Sequence, residues 1–504
     1  MNKFLNGLNN ETNYTYTENG ALTHTSTGTM LLDMFALGAA MRKRSDEDVI
    51  LLFKNAYEEN PEYALKCLFY IGDILEGQGE RRFFRVCYNW LAKTDIAAAR
   101  RNMNLIPRYR RWDDLYALVD TPLEDAMFNF MKEQLALDVQ SKTPSLLAKW
   151  LKSENTSSKE SCALGKKTRE AFGMTPKQYR KTLSILRSRI NIVEKLMSEN
   201  RWEDIEYDKI PSRAGMIYKN AFARHDIERA KKKPEAQTYA EFAKDETKKV
   251  NAKALYPYEC VAEVINKAYY SHLCGISETE RAIINKYWDN LTDYFQNSTF
   301  NGMALVDTSG SMHRHNQAAA PLNVAISLGL YCAEKAKGPF ANHFISFEST
   351  PHFIKTVGID FVDKVLRIAR APWAGSTNIE AAFDLMLNTA LKNNCSQSEI
   401  PQNLIIISDM EFDAARGARY FDSRPYSTLM ESIESKWNAA GYKMPNLVYW
   451  NVDARQNNIP MTVKDGVSFV SGMSPSIFQQ IMSGKTAFDL MYEVLNKERY
   501  KDIY

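Results

Sequence analysis

Cysteine is scarce in this chain. There are seven in 504 residues, an odd number scattered at Cys67, Cys87, Cys162, Cys260, Cys274, Cys332 and Cys395. No pair has CxxC spacing, which removes the usual zinc-knuckle signature, and the scatter excludes a disulfide scaffold and points to reduced thiols. Glycine (22) and proline (17) are too few for a collagen-like or low-complexity chain. Long apolar runs are missing as well. The longest, such as residues 303–306 and 404–407, are strand-sized, far below the ~18–20 residues of a membrane span. The first twenty residues, MNKFLNGLNNETNYTYTENG, lack the apolar core of a signal peptide. No membrane and a cytoplasmic location are the expectation.

What is present is ordinary globular material, 45% hydrophobic and 25% charged, long enough for two to four domains. The net charge of +3 hides an asymmetry: residues 141–250 hold 25 Lys and Arg against 15 Asp and Glu. A basic middle on a balanced chain suits a partner bearing phosphates or carboxylates, and equally a lysine-rich solvated helical surface.

The pattern along the sequence divides in three. Residues 1–30 are polar, Thr- and Asn-rich and aperiodic, and read as an extended arm or a loop packed on something larger. Residues 31–300 carry apolar residues at spacings of three and four, as in Val49, Leu52, Phe53 and Ala56, with turn signals every ~15–20 residues. Short helices in that rhythm suggest a HEAT-like α-helical repeat region or an irregular bundle. Residues 153–167 read as a polar surface loop, and residues 230–252 as an exposed helix or mobile segment. Residues 301–504 change grammar: MALVD, HFISF, LIIISD, NLVYWNVD and VSFVS alternate with helical stretches at 321–335, 361–370, 379–392 and 427–439. That alternation predicts a doubly wound, mostly parallel sheet, so the fold class is α plus α/β. Ligands of such sheets bind beyond the carboxyl ends of the strands.

The chemistry-bearing residues fall there. After the first strand of this part come Asp307, Ser309 and Ser311, a carboxylate and two hydroxyls on one tight loop. Thr377 follows in Gly375-Ser376-Thr377-Asn378, and Asp409 ends the strand LIIIS. Hard oxygen donors of this kind suit Mg²⁺, or another divalent cation such as Mn²⁺ or Ca²⁺. The plain alternative is a hydrogen-bond network at the sheet edge without metal. His313 and His315 follow the loop and read as surface residues. Catalytic motifs fail: DTSGS is not the DTG of aspartic proteases, no second Asp stands two residues after Asp307, and neither GxSxG nor a P-loop is present.

DxSxS, a distant Thr in GSTN and a strand-terminal Asp together resemble the metal-ion-dependent adhesion site of von Willebrand A domains. In that family the loop Asp, both Ser and the Thr surround the metal, while the second Asp acts through water. The likeness extends over nearly the whole chain. ENGALTHTSTGTMLLDMFALG, DILEGQGERRFFR, RRWDDLYALVD, SDMEFD and LVYWNVDAR resemble a family that pairs an N-terminal helical region with a C-terminal von Willebrand A domain. That family is in turn similar to the TROVE-domain Ro proteins. The resemblance implies a non-enzymatic ribonucleoprotein scaffold that binds structured RNAs or single-stranded RNA ends.

Several groups of basic side chains are candidates for that role. Arg81 and Arg82 follow Gly77-Gln78-Gly79-Glu80, which either offers backbone amides to a phosphate or simply ends one helix and starts the next. Arg108, Arg110 and Arg111 stand with Tyr109 and Trp112, a basic-aromatic cluster in which Trp112 also fits a packing role. Lys177, Arg180, Lys181, Arg187 and Arg189 interleave with Tyr179, Leu183 and Leu186, leaving charge on the outer face of one helix. The competing expectation is a protein-interaction or assembly module whose metal captures an acidic residue of a partner. A metal-dependent hydrolase is the third class.

Overall fold

The computed structural model describes residues 12–190, 192–270, 275–296, 300–313, 319–370, 373, 375–415, 427–481 and 486–504. His315 and Cys274 lie outside the described residues. The six described cysteines are all free.

From Met30 to Asp289 the chain is built of helices. Many of their starts follow from side chains that satisfy the free N–H groups of a first turn. Ser45 accepts from Asp48 N, Asn60 from Tyr63 N ahead of Pro61, and Thr175 and Gln178 form a reciprocal capping box ahead of Pro176. Most of the longer helices bury an apolar stripe, such as Val49, Leu52, Phe53 and Ala56 of Asp46–Glu59 against Pro61–Gly72 and Arg81–Thr94. The polar stretch 153–167 is only partly the loop its composition suggests. Ser158 caps a helix over Lys159–Ala171, and the buried Gly165 and Thr168 seat it. In the charged stretch 230–252, Thr238 and Glu241 cap a short helix, Tyr239–Lys244, whose Tyr239, Phe242 and Ala243 are buried.

The C-terminal part is a six-stranded sheet with helices on its faces. Taking β1 as Tyr14–Tyr16 and β2 as Leu22–His24, its strands are β3 (Gly302–Asp307), β4 (His343–Phe347), β5 (His352–Lys355), β6 (Asn403–Ser408), β7 (Asn446–Asn451) and β8 (Val467–Ser471). The order is β5-β4-β3-β6-β7-β8, parallel throughout except for the antiparallel edge pair β4–β5. β3 is wholly buried and β6 nearly so, as continuous apolar runs demand of strands covered on both faces. From β3 the chain crosses to β4 on one side, and from β6 to β7 on the other. The point where strand order reverses therefore lies between the carboxyl ends of β3 and β6.

The arm β1–β2 is an antiparallel ribbon that leans on this α/β part through isolated bridges, Gly20 to Asp413 and His24 to Ile459. The helical region meets the α/β part at both of its ends. Its first helix, Met30–Leu37, packs on β8, and Ser471 Oγ donates to Phe35 O at 2.9 Å. Its last helices, Pro257–Tyr270 and Glu278–Asp289, pack on Pro321–Lys335 and Phe361–Ile368. Between these, the buried Asp73 takes Arg499, with Nη2 at 2.6 Å, and the hydroxyl of Tyr500 at 3.0 Å. Among the described residues no helix is long and apolar enough to cross a membrane.

Candidate functional site

Asp307 ends β3 and Asp409 follows β6, so the two carboxylates are delivered by neighbouring strands to the point of strand reversal. Both are buried, along with Ser309 and Thr377. Asp307 is gripped from two sides: Ser309 N donates to its Oδ1 at 2.9 Å, and Ser408 Oγ to its Oδ2 at 2.5 Å. The hydroxyls of Ser309 and Ser311 lie 3.2 Å apart, and Ser311 in turn hydrogen-bonds Asp409. The third loop is tied in by Gly310 N donating to Gly375 O at 3.0 Å and by Asp413 Oδ1 accepting from Thr377 N at 3.0 Å. Gly375 is required there. Its φ is +116°, and a Cβ would stand 2.3 Å from Ser349 Oγ and 2.5 Å from Glu348 Oε2. The structure thus brings the loops of all five sequence-selected residues to one place.

Three residues missed in sequence complete the surroundings. Ser408 holds Asp307. Glu411 is buried beside Asp409, with Oε2 accepting from Glu18 N at 2.7 Å and Oε1 without a hydrogen-bond partner among the described residues. Arg455, just past β7, donates from Nη2 to Asp409 Oδ2 at 3.0 Å and pairs with Glu18. The arm itself reaches the rim, where Asn19 Nδ2 donates to Thr377 Oγ1 at 3.3 Å and to Glu411 O at 2.6 Å. The sequence signal was a charged residue just after a strand end, in SDME and NVDAR.

Electrostatics sharpen the picture. Burial, and then the neighbouring Asp409, push Asp307 up to about 7. Asp409 is raised by burial against the opposing pull of Arg455, and Glu411 is pushed up to about 7 by burial, with Asp409 adding to it. Four buried carboxylates, those of Asp307, Asp409, Glu411 and Asp453, gather about one ion-paired guanidinium among the described residues, a surplus of negative charge. Such a surplus is met by protons or by a cation. The donor set of two carboxylates with hydroxyls fits a hard divalent ion. Among the described residues no group of three His, Cys, Asp or Glu side chains is arranged to hold a metal. Any metal here would rest on the mixed carboxylate–hydroxyl set instead.

The ten basic candidates separate. Arg110 is withdrawn as a nucleic-acid contact: its side chain is fully buried, pairs with Asp114 at 3.1 Å and lies over the Phe84 ring. Arg81 and Arg111 are drawn into the same ion network through Asp113. Arg82 pairs with Asp46 and Arg108 with Asp502. Arg187 is a structural clamp, donating to Ala148 O at 2.8 Å, Leu151 O at 3.0 Å and Ser153 Oγ at 3.2 Å. Arg189 donates to Val139 O at 2.7 Å. Lys177, Arg180 and Lys181 remain exposed on Pro176–Arg189, with no ion pair among the described residues. The amide reading of the glycine turn also falls. The N–H groups of Gln78, Gly79 and Glu80 donate to Tyr70 O, Asp73 O and Ile71 O, closing the preceding helix. Trp112 stacks on Phe130, a packing role.

Comparison with known proteins places the chain. Residues 301–502 match a domain of unknown function, DUF7788. An uncharacterized protein, L728, of Acanthamoeba polyphaga mimivirus is 29% identical over 514 residues, covering 94% of this chain and 85% of that protein. The crystal structure of the Deinococcus radiodurans RO (RSR) protein aligns over 94% of this chain and 100% of its own, at 14% identity and a TM-score of 0.40. A second domain of unknown function, DUF2828, matches residues 17–144 and 133–299, more than half of the sequence. The chain belongs to the DUF2828 family.

Proposed function

We propose that this chain is a non-enzymatic binding scaffold for RNA, with a divalent cation at the edge of its α/β part. The observation that carries the RNA reading is the outer face of Pro176–Arg189. There Lys177, Arg180 and Lys181 stand exposed without an ion pair among the described residues, Arg180 Nε donating only to Pro176 O at 3.3 Å, while Tyr179, Leu183 and Leu186 anchor the helix from below. Arg180 also lines a cleft of about 430 Å³ with Ser153, Asn155, Ser184 and Lys195, and with Glu154 and Glu194 on its wall, so a strand laid along the helix meets hydrogen-bonding groups as well as charge of both signs. Cations of this kind neutralise phosphates without reading sequence, and the affinity they supply falls steeply with salt. Titration of structured and single-stranded RNA across salt concentrations tests the reading. No binding at low salt overturns it.

The second reading is a protein-interaction module, favoured by the surplus of negative charge around Asp307, Asp409 and Glu411. Asp307, Ser309, Ser311, Thr377 and Asp409 would hold Mg²⁺. The bound ion would supply a residual positive charge to attract an acidic group of a partner. Asp307→Ala separates the two readings, because a protein partner is lost with the cation while RNA binding persists.

A further inference from the structure

Asp113 and Asp114 open the 3-10 helix Trp112–Leu118, and both are buried. Around Asp113 alone stand four cations: Arg81 Nη2 at 3.2 Å, Arg85 Nη2 at 3.3 Å, Arg111 Nε at 3.0 Å and Lys152 Nζ at 3.5 Å. Asp114 takes Arg81 at 2.8 Å, Arg85 at 2.5 Å and Arg110 at 3.1 Å. Arg42 adds a contact to Glu80 at 3.4 Å. The cluster therefore gathers six cations on three carboxylates, a surplus of three positive charges in a half-buried place.

A carboxylate has about four lone-pair positions, whereas each guanidinium brings five N–H groups. Asp113 and Asp114 are saturated long before their partners are. The shortfall shows in the donors: Arg42 Nε and Nη2, Arg81 Nε and Arg110 Nη2 are buried with no hydrogen-bond partner among the described residues. An orphaned buried donor on a charged group is costly, and four in one cluster show how far its donors outnumber its acceptors. The crowding of like charge is felt as well. Burial pushes Arg110 down to about 10 and lowers Arg111, with Arg81 adding to both against the pull of the two aspartates.

The cluster is open to solvent on one side. The side chains of Arg81, Arg85, Arg111 and Lys152 are each between 27% and 37% exposed. Two aromatic faces flank it: the Arg111 guanidinium lies 3.9 Å from the Trp150 ring centroid, and Lys152 Nζ lies 5.7 Å from that of Tyr116. These hold the cations in place without neutralising them. Glu80 already accepts from Arg82 N and Phe83 N, so the start of the helix Arg81–Thr94 is capped and the unmet donors are those of side chains.

The geometry points to a phosphate-binding site formed by Arg81, Arg85, Arg111 and Lys152 over Asp113. A phosphate group brings up to two negative charges and several acceptor oxygens in a tetrahedral array. It matches the charge surplus and the unmet Arg81 donor at the site, and planar guanidiniums bind it in pairs. This inference does not rest on the RNA reading, because a single phosphate satisfies it.

Two substitutions in the full-length chain test it, with inorganic phosphate as the probe in calorimetry at constant ionic strength. Lys152 makes one long contact to Asp113, so Lys152→Gln spares the fold. It is expected to weaken phosphate binding about tenfold, with the unliganded melting temperature unchanged. Asp113→Asn removes the internal competitor while keeping its shape. It is expected to lower unliganded stability and strengthen phosphate binding, so that added phosphate restores the lost melting temperature. A purely structural ion network gives no such rescue. Absence of phosphate binding by the natural chain, or weaker phosphate binding by Asp113→Asn, overturns the site. Competition by a 5′-phosphorylated but not a 5′-hydroxyl oligonucleotide assigns the phosphate to a strand end. Competition by neither assigns it to a small phosphorylated molecule. In both cases the site stands even where RNA binding at Pro176–Arg189 fails.

Discussion

Asp307→Asn isolates the charge at the α/β edge with little change of shape. In the natural chain the folded carboxyl is raised from 3.8 to about 7 by burial and by Asp409. A raised folded pKa means that the native state holds its proton where the unfolded chain has lost it. This contribution to stability is fully present below pH ~4, declines as pH climbs toward 7, and stays lost above. Each unit is worth about 1.4 kcal/mol, so without divalent cation the penalty grows from ~1 kcal/mol at pH 4.5 to ~4 kcal/mol at pH 8. Asn carries no such slope. The variant, melted in chelator, is therefore expected to be only slightly more stable than the natural chain at pH 4.5. At pH 8 it should melt a few degrees higher, at about 1 °C per kcal/mol for a cooperative body of 504 residues. Glu411 is raised to about 7 and leaves a residual slope in both proteins. With Mg²⁺ the gap narrows to ~1 kcal/mol at pH 8. At a hundred times its dissociation constant the ion stabilises the natural chain by ~2.7 kcal/mol, and the variant gains little. Differential scanning fluorimetry at the two pH values, with and without Mg²⁺, reads all four quantities. An Asp307→Asn protein that melts lower in chelator at pH 8, or that keeps the full Mg²⁺ response, refutes the reasoning.

Replacing Lys177, Arg180 and Lys181 together by Gln should leave the melting temperature unchanged, since all three are exposed. In fluorescence anisotropy the slope of log affinity against log salt should fall by ~2 for single-stranded RNA, at about 0.7 per phosphate. Arg187→Gln should do the opposite, costing ~1–3 kcal/mol in urea melts through the abandoned carbonyls of Ala148 and Leu151 and leaving the salt slope alone. Gly375→Ala forces an L residue to a φ of +116° against Ser349 and Glu348, and calorimetry should show weakened Mg²⁺ binding with Asp307 and Asp409 intact.

The strands β3, β4, β6, β7 and β8 were legible because buried parallel strands are written as unbroken apolar runs. β5 was not, since HFIK is a four-residue edge strand with a half-exposed pattern. The β1–β2 ribbon is short and polar and has no apolar run of its own. In the site, residue types and loop order gave the oxygen donors. Arg455 and the arm residues Glu18 and Asn19 act through contacts more than 350 residues apart, which no local pattern encodes. The basic residues show the opposite failure. Their charge is plain in RYRRWDD, but whether a cation is free depends on its partner. Asp113 and Asp114, three residues from Arg110 and Arg111 in that heptapeptide, were the clue.

The helical region leaves the α/β part at β8 and comes home to it at Pro321–Lys335, so its contacts make a hoop with two moorings. Asp73 with Arg499 and Tyr500 is the clasp between them. Letting go at one mooring does not free a tail, because the other still holds. The two parts then melt as one cooperative body, and a change such as Asp73→Asn at the clasp is felt around the whole circumference.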